Sequence, residues 1–267
     1  MNNYEKRMLA ILEEGKALGI VSVKAEFEAE GTRVDELLRL LEVARRAGVK
    51  IGLKIGGCEA IRDLIECRQF GVDYIIAPMV ETPYALRKFV AARDKVFPTD
   101  ERDDIGFLFN VETATTFDNL AEMAKIAGNE NLGMVLGRVD FAGSLGKQRD
   151  FVNGAEMGGY VEQVARAARE QRVDYVVGGA VSPDSIEPLR AARRIKLDRF
   201  ETRKVIFDAA ILDGEDTEAG LALAIEFELL WLKNKRDHYA TIGAEDAKRI
   251  AMMEARRNGP VAAPALS

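Results

Sequence analysis

A closed (β/α)8 barrel of the TIM type is the fold that this sequence predicts, and three observations carry it. Short apolar runs recur at 20–23, 49–55, 74–77, 105–111, 132–136, 174–177 and 204–207, each too short for an ordinary helix. Stretches with helical periodicity separate most of them, which predicts a parallel sheet. The number of such units favours a closed barrel over an open sheet. An eighth strand is sought within 195–200. A helix precedes the first strand, and a helical extension follows the last.

Residues 4–18 form an amphipathic helix that buries Met8, Leu9, Ile11 and Leu12, and Gly19 closes it before the strand begins at Ile20. If that strand runs on past Val23, Lys24, Glu26 and Glu28 share one of its faces. Residues 35–47 are a strong helix, ended by Gly48, and Gly56-Gly57 makes the turn after the next strand. Helices follow over 58–70 and from Pro83, a residue suited to a first helical turn. Further helices cover 155–171 and the segment after Pro183. Residues 217–233 form a helix apolar almost all round, which must bury itself against its own barrel or a neighbour. Residues 244–257 read as a final charged helix. The expected organisation is a barrel over 1–213, a helical extension in a subunit interface over 214–257, and a disordered tail over 258–267.

With 267 residues and 48% hydrophobic content, the chain can bury a sizeable single core. Its net charge of −6 argues against a nucleic-acid surface. No leader pattern or membrane-spanning run is visible, so no membrane partner is expected. Cys58 and Cys67, nine residues apart on a presumed common helix, would face opposite ways and stay reduced, as in a cytoplasmic protein. His238 is the single histidine, which leaves no spare imidazole for a catalytic triad or a histidine-rich zinc site.

Chemistry is expected at Phe109-Asn-Val-Glu-Thr-Ala-Thr-Thr-Phe-Asp118 and Leu136-Gly-Arg-Val-Asp-Phe-Ala-Gly-Ser-Leu-Gly146. Glu112 sits just past one strand and Asp140, in a glycine-rich turn, just past the next. Carboxylates at the C-terminal ends of successive parallel strands point into one mouth, where such barrels carry out their chemistry. A hard divalent cation takes oxygen ligands of this kind; the alternative is a pair of helix-capping carboxylates. Thr113 offers a capping hydroxyl or a substrate contact.

These two stretches resemble the HpcH/HpaI aldolase and citrate lyase β-subunit family, whose pattern runs I-E-T, a helix, then G-x-x-D-L-S-x-S-L-G. The resemblance is good over 105–146 and extends, as alternating strands and helices, over roughly 20–210. It implies Mg²⁺ or Mn²⁺ on Glu112 and Asp140, a pyruvate-type 2-oxoacid or its enolate on that metal, and carbon–carbon bond chemistry. It also implies C-terminal helices exchanged within a homo-oligomer, a trimer or hexamer. Lys54 stands where the family often has an arginine for the substrate carboxylate. It reads as a carboxylate or phosphate anchor rather than a Schiff-base nucleophile. Arg138, where the family has a small residue, would bind a phosphate or second carboxylate, or pair with Asp140. Gly137 and Lys24 would approach the substrate.

The loop at 24–33 stands where family aldolases place a His–Asp pair, and it holds no histidine. Glu26 or Glu28, raised by burial, would serve as the base, or Lys24 paired with Glu26 would shuttle the proton. Gly56-Gly57, Gly178-Gly179 and Gly143–Gly146 read first as tight turns and second as phosphate-binding backbone. The expected activity is that of a class II, metal-dependent aldolase or lyase. Citrate-lyase-like or synthase chemistry on an acyl-CoA or phosphoenolpyruvate, and a non-catalytic oxoacid-binding barrel, are the alternatives.

Overall fold

Eight strands close into a barrel in chain order in the computed structural model, which describes residues 1–259. Of the tail expected over 258–267, residues 260–267 lie outside the described residues. Helix α1 (Asn3–Gly15) starts at a capping box between Asn2 and Glu5. Gly19, at a φ of 81°, then turns the chain into β1 (Ile20–Glu26). There follow α2 (Val34–Ala47), β2 (Lys50–Lys54), α3 (Ile61–Phe70), β3 (Tyr74–Ala77), α4 (Pro83–Val96) and the short α5 (Thr99–Arg102). The central pair is β4 (Gly106–Val111), α6 (Ala114–Asp118), α7 (Leu120–Glu130), β5 (Gly133–Gly137) and α8 (Arg138–Ser144). Last come α9 (Ala155–Gln171), β6 (Tyr175–Gly178), α10 (Ile186–Arg193), β7 (Arg199–Glu201), β8 (Val205–Asp208) and α11 (Thr217–Arg257).

The strands β1 to β7 run parallel, but β8 is antiparallel to both β7 and β1. The expectation of an all-parallel sheet is corrected here. Residues 202–204 are all that joins β7 to β8, and a parallel crossover needs a dozen residues or more. A hairpin is the connection that length allows, so Lys204 lies at the same end of the barrel as the C-terminal ends of the parallel strands. Two further readings change. Cys58 lies in the loop before α3 rather than on it, and both cysteines are free thiols. The segments read as separate helices over 217–233 and 244–257 are one 41-residue helix.

Alternation along the strands divides the interior into two compartments. Outward residues such as Leu53, Phe109, Leu136 and Val177 pack beneath the helices in the main core. Inward residues Ile76, Leu108, Val135 and Val176 form a small apolar plug of their own. One layer further toward the C-terminal ends, the inward positions turn polar or become glycine: Lys24, Lys54, Asn110, Gly137 and Gly178. The plug therefore forms the floor of a polar mouth.

Helix α11 starts at the floor end and climbs beside α1, burying Leu221, Ala224, Phe227 and Trp231. Past the rim it leaves the barrel, and residues 240–257 are exposed along their whole length, roughly 27 Å of helix. No helix among the described residues is long and apolar enough to cross a membrane. Phe227 is fully buried. Phe227→Ala should therefore cost about 3–5 kcal/mol of stability in chemical denaturation. A loss below about 1 kcal/mol would mean that α11 is not part of the barrel's cooperative core.

Candidate active site

Glu112 follows β4 directly, and its side chain reaches back over the plug with little exposed surface. Its Oε1 accepts the Met79 backbone N–H at 2.8 Å. Met79 holds a φ of 49°, a left-handed conformation costly for a side-chain-bearing residue, and so aims its N–H at the carboxylate. Oε2 accepts from Asn110 Nδ2 at 2.6 Å and lies 3.4 Å from the Lys54 ammonium. Asn110, two residues earlier, shares the inward face of the strand. A Cβ at Gly137 would come within 2.9 Å of Glu112 Oε2, so the end of β5 must be bare for this carboxylate to lie there. Burial pushes the Glu112 carboxyl above the usual range. The Lys54 ammonium and the hydrogen bonds from Met79 and Asn110 oppose that shift, while the nearby Asp140 charge reinforces it.

Around this carboxylate runs a chain of buried ion pairs. Lys54 Nζ is 2.9 Å from Glu28 Oε2 as well as 3.4 Å from Glu112 Oε2. Lys24 Nζ is 2.5 Å from Glu201 Oε1 and 3.3 Å from Glu26 Oε1. Burial alone would depress both ammonium groups. Glu201 and Glu26 outweigh it for Lys24, and Glu112, Glu28 and Glu26 for Lys54, so both are held above the ordinary lysine range. Burial would likewise raise Glu26, but Lys24 and Lys54 hold it below the usual carboxylate range. The loop carrying Glu28 is tied down by Glu30, which pairs with Arg203 and Lys204 of the β7–β8 hairpin. Lys204 in turn lies over the Trp231 ring, 5.6 Å from its centroid.

Glu112, Lys54, Glu26, Glu28 and Lys24 thus meet at one mouth, with Asp140 close enough for its charge to act on Glu112. Asp140 is exposed and lies in the first turn of α8, not in an open glycine-rich turn. Expectations for Arg138, Lys24 and Glu26 need correction. Arg138 does not face the mouth: its guanidinium donates to the carbonyls of Gly178, Val152 and Gly179, to Asn153 Oδ1 and to Ser185 Oγ. These bonds take up all five of its donors. Burial also pushes it down to about 10. It is a structural clamp between β6 and the segments beyond it.

Lys24 is locked between two glutamates rather than open to substrate. Glu26, held below the usual range, is the opposite of the neutral-poised base expected there. Thr113 caps α6, its Oγ1 accepting the Thr116 N–H at 3.1 Å. His238 is exposed on α11, 3.8 Å from Asp35.

Sequence reading missed Asn110, Glu201, Glu30 and Lys204. Alternation from Glu112 would have found Asn110. Glu201 needed the position of β7, which closes against Gly178, where a Cβ would meet the Glu201 carboxylate at 2.9 Å. Paired in register, Gly137 and Gly178 each make room for one mouth glutamate.

Glu112 and Asp140 at the ends of adjacent strands are the arrangement on which the sequence resemblance turned, and residues 22–196 match the HpcH/HpaI aldolase/citrate lyase family. The chain belongs to that family. Members of the HpcH/HpaI family are enzymes of aldolase and lyase type, and this chain is one of them at that level. An HpcH/HpaI aldolase from Desulfitobacterium hafniense is similar at TM-score 0.59 and 16% identity, over 75% of this chain and 83% of that one. The citrate synthase SbnG is similar at TM-score 0.58 and 16% identity, over 90% and 89%. A family protein from Burkholderia cenocepacia J2315 gives TM-score 0.59 and 14% identity, over 96% and 100%. At these identities the likeness is one of fold. No curated protein sequence matches the chain.

Among the described residues no three or more histidine, cysteine, aspartate or glutamate side chains converge as a ready metal site, and Glu26 and Glu201 are taken up by Lys24. The donors that fit a hard divalent cation are the carboxylates of Glu112 and Asp140, a pair that water and substrate oxygens would complete. Asn110 Oδ1, beside Glu112, is buried with no partner among the described residues. The reassignment of Arg138 is testable. Arg138→Met should cost about 3 kcal/mol or more in denaturation, because it strands buried carbonyls, and should leave Mn²⁺ affinity unchanged. Unchanged stability with a weakened substrate KM would return Arg138 to the binding site.

Proposed function

We propose that this chain is a class II aldolase or carbon–carbon lyase that works on a pyruvate-type 2-oxoacid and uses Mg²⁺ or Mn²⁺. The observation that supports the reading is the buried, backbone-anchored Glu112 beside Asp140 and the unpartnered Asn110 Oδ1. A divalent ion held by Glu112 and Asp140 would supply Lewis acidity toward the carbonyl of the oxoacid. Lys54, charged and flexible, donates to the substrate carboxylate and fixes its orientation; Glu112, Glu28 and Glu26 favour its ammonium form, which suits an anion anchor better than a Schiff-base nucleophile. Glu28 is the proton carrier at the carbon that gains or loses a bond. It is part-exposed on the rim loop and within reach of the mouth, whereas Glu26 is a weak base in its two-lysine clamp. The Lys24–Glu201–Glu26 cluster ties β1 to β7 across the intervening β8.

Calorimetry with Mn²⁺, and exchange of pyruvate methyl protons in D2O with Mg²⁺, test this together. Glu112→Gln and Asp140→Asn should each abolish metal binding and exchange. Glu28→Gln should slow exchange by about 10²-fold or more, and Glu26→Gln by less. Unchanged Mn²⁺ affinity in both metal-site variants, or slowing confined to Glu26→Gln, would refute the respective assignments.

A homo-oligomer is part of the same reading. Past the rim, α11 displays Ile242, Ile250, Met252 and Met253, and at its root lies a cavity of about 770 Å³ against α1 and α2, lined by Tyr4, Asp35, Trp231 and His238. A second copy of the chain is the occupant that the family resemblance implies. Light scattering at micromolar concentration should give a mass well above 29.5 kDa, and a monomer would overturn it.

A further inference from the structure

We propose that Lys54 is a tethered counter-cation for Glu112: without a divalent ion it neutralises that carboxylate, it competes with the ion for it, and it moves onto Glu28 when the ion binds. The proposal rests on the reading of Glu112 and Asp140 as the metal carboxylates.

The geometry behind it is the division of one ammonium between two carboxylates of unlike standing. Glu112 is fixed, gripped by the Met79 N–H and by Asn110, and its side chain is 1% exposed. Glu28 comes from the loop between β1 and α2, and its side chain is 25% exposed. The Lys54 ammonium lies nearer to Glu28, at 2.9 Å, than to Glu112, at 3.4 Å. A divalent cation held by the Glu112 carboxylate, at the roughly 2.0–2.1 Å of such bonds, would crowd the ammonium already beside Oε2. In a site this dry, repulsion between a divalent and a univalent cation is strong, so the two cannot both be held on that oxygen. Lysine is suited to yielding, because its charge is compact and rides on a flexible four-carbon stem, unlike a planar guanidinium.

Glu28 gives the displaced ammonium somewhere to go without leaving the mouth. Glu30, two residues on, pins the same loop to Arg203 and Lys204, so Glu28 stays within reach. Glu26 adds a second negative charge beside Lys54. The ion and the lysine thus exchange places over a short distance, and Glu28 becomes the residue on which metal affinity depends without being a ligand. Lys54 and Glu28 act as positioning residues for the metal carboxylate until substrate arrives, when the substrate carboxylate draws the ammonium off Glu28 and frees Glu28 to carry the proton.

Mn²⁺ titration of the full chain at about pH 8, where free carboxylates are ionised, compares the wild type with Lys54→Met, Glu28→Gln and the site control Glu112→Gln. The two variants should move affinity in opposite directions. Lys54→Met removes the competitor and should tighten Mn²⁺ binding about tenfold or more. Glu28→Gln removes the alternative partner, holds the ammonium on Glu112, and should weaken binding about threefold or more. Thermal melts add a readout free of activity: Lys54→Met should lose more stability without Mn²⁺ than with it. Equal or weaker binding in Lys54→Met, while Glu112→Gln abolishes binding, would overturn the counter-cation role and leave the metal site standing. Retained binding in Glu112→Gln would overturn both. Should Lys54→Met fail to fold, Glu28→Gln decides alone, and unchanged or tighter binding there overturns the proposal.

Discussion

A carboxylate held under the rim of the barrel, that of Glu112, is the constraint to which the rest of the mouth conforms. Burying it is unfavourable, and each neighbour offsets part of that cost: a backbone N–H from the left-handed Met79, an amide from Asn110, an ammonium from Lys54. Its bulk is accommodated because β5 ends in Gly137 and not in a larger residue. Remove any of these and less of the burial cost is offset, so the carboxyl is pushed further toward its neutral form. A functional carboxylate of this kind is therefore a property of four strand ends acting together, and not of one residue at a motif position.

The same logic extends around the barrel. Glu201, at the end of β7, stands to Gly178 as Glu112 stands to Gly137, and it anchors Lys24 as Glu112 anchors Lys54. Both lysines need their carboxylates because burial would otherwise drive off the proton. The alternating acids and bases leave the mouth an ordered network rather than a collection of loose charges. The antiparallel hairpin of β7 and β8 contributes by bringing Lys204 and Arg203 up to the rim, where they fasten the loop that carries Glu28 and Glu30.

Arg138 shows how the same residue type serves opposite ends according to where the backbone sends it. An arginine next to the second motif carboxylate suggests anion recognition, and its sequence neighbours hold nothing against that. The first turn of α8 instead directs it outward, under β6, where the carbonyls of Val152, Gly178 and Gly179 and the side chains of Asn153 and Ser185 absorb every donor. Positive charge at the mouth is supplied by Lys24 of β1 and Lys54 of β2.

What the sequence by itself determined is whatever depends on local periodicity: strand-length apolar runs, the helices between them, the glycine stops, and the two carboxylates that follow β4 and β5. Parity along a strand was likewise legible, and it put Lys24 and Glu26 on one face; Glu28, expected on that face had the strand continued, lies instead in the loop after β1. The tertiary structure alone decided which strand closes against which, that β8 runs backward, and that Trp231 on a continuous 41-residue helix lies against Lys204. It also decided the sign of each side chain's electrostatic environment. Glu26 was expected near neutrality from burial, yet two lysines from different strands outweigh that burial and hold it charged. The physical reason is one of range. Hydrogen bonding and side-chain alternation act between neighbours in the chain, whereas the charge pairing that sets a site's chemistry is made between residues as far apart as Lys24 and Glu201, which meet only when the barrel closes.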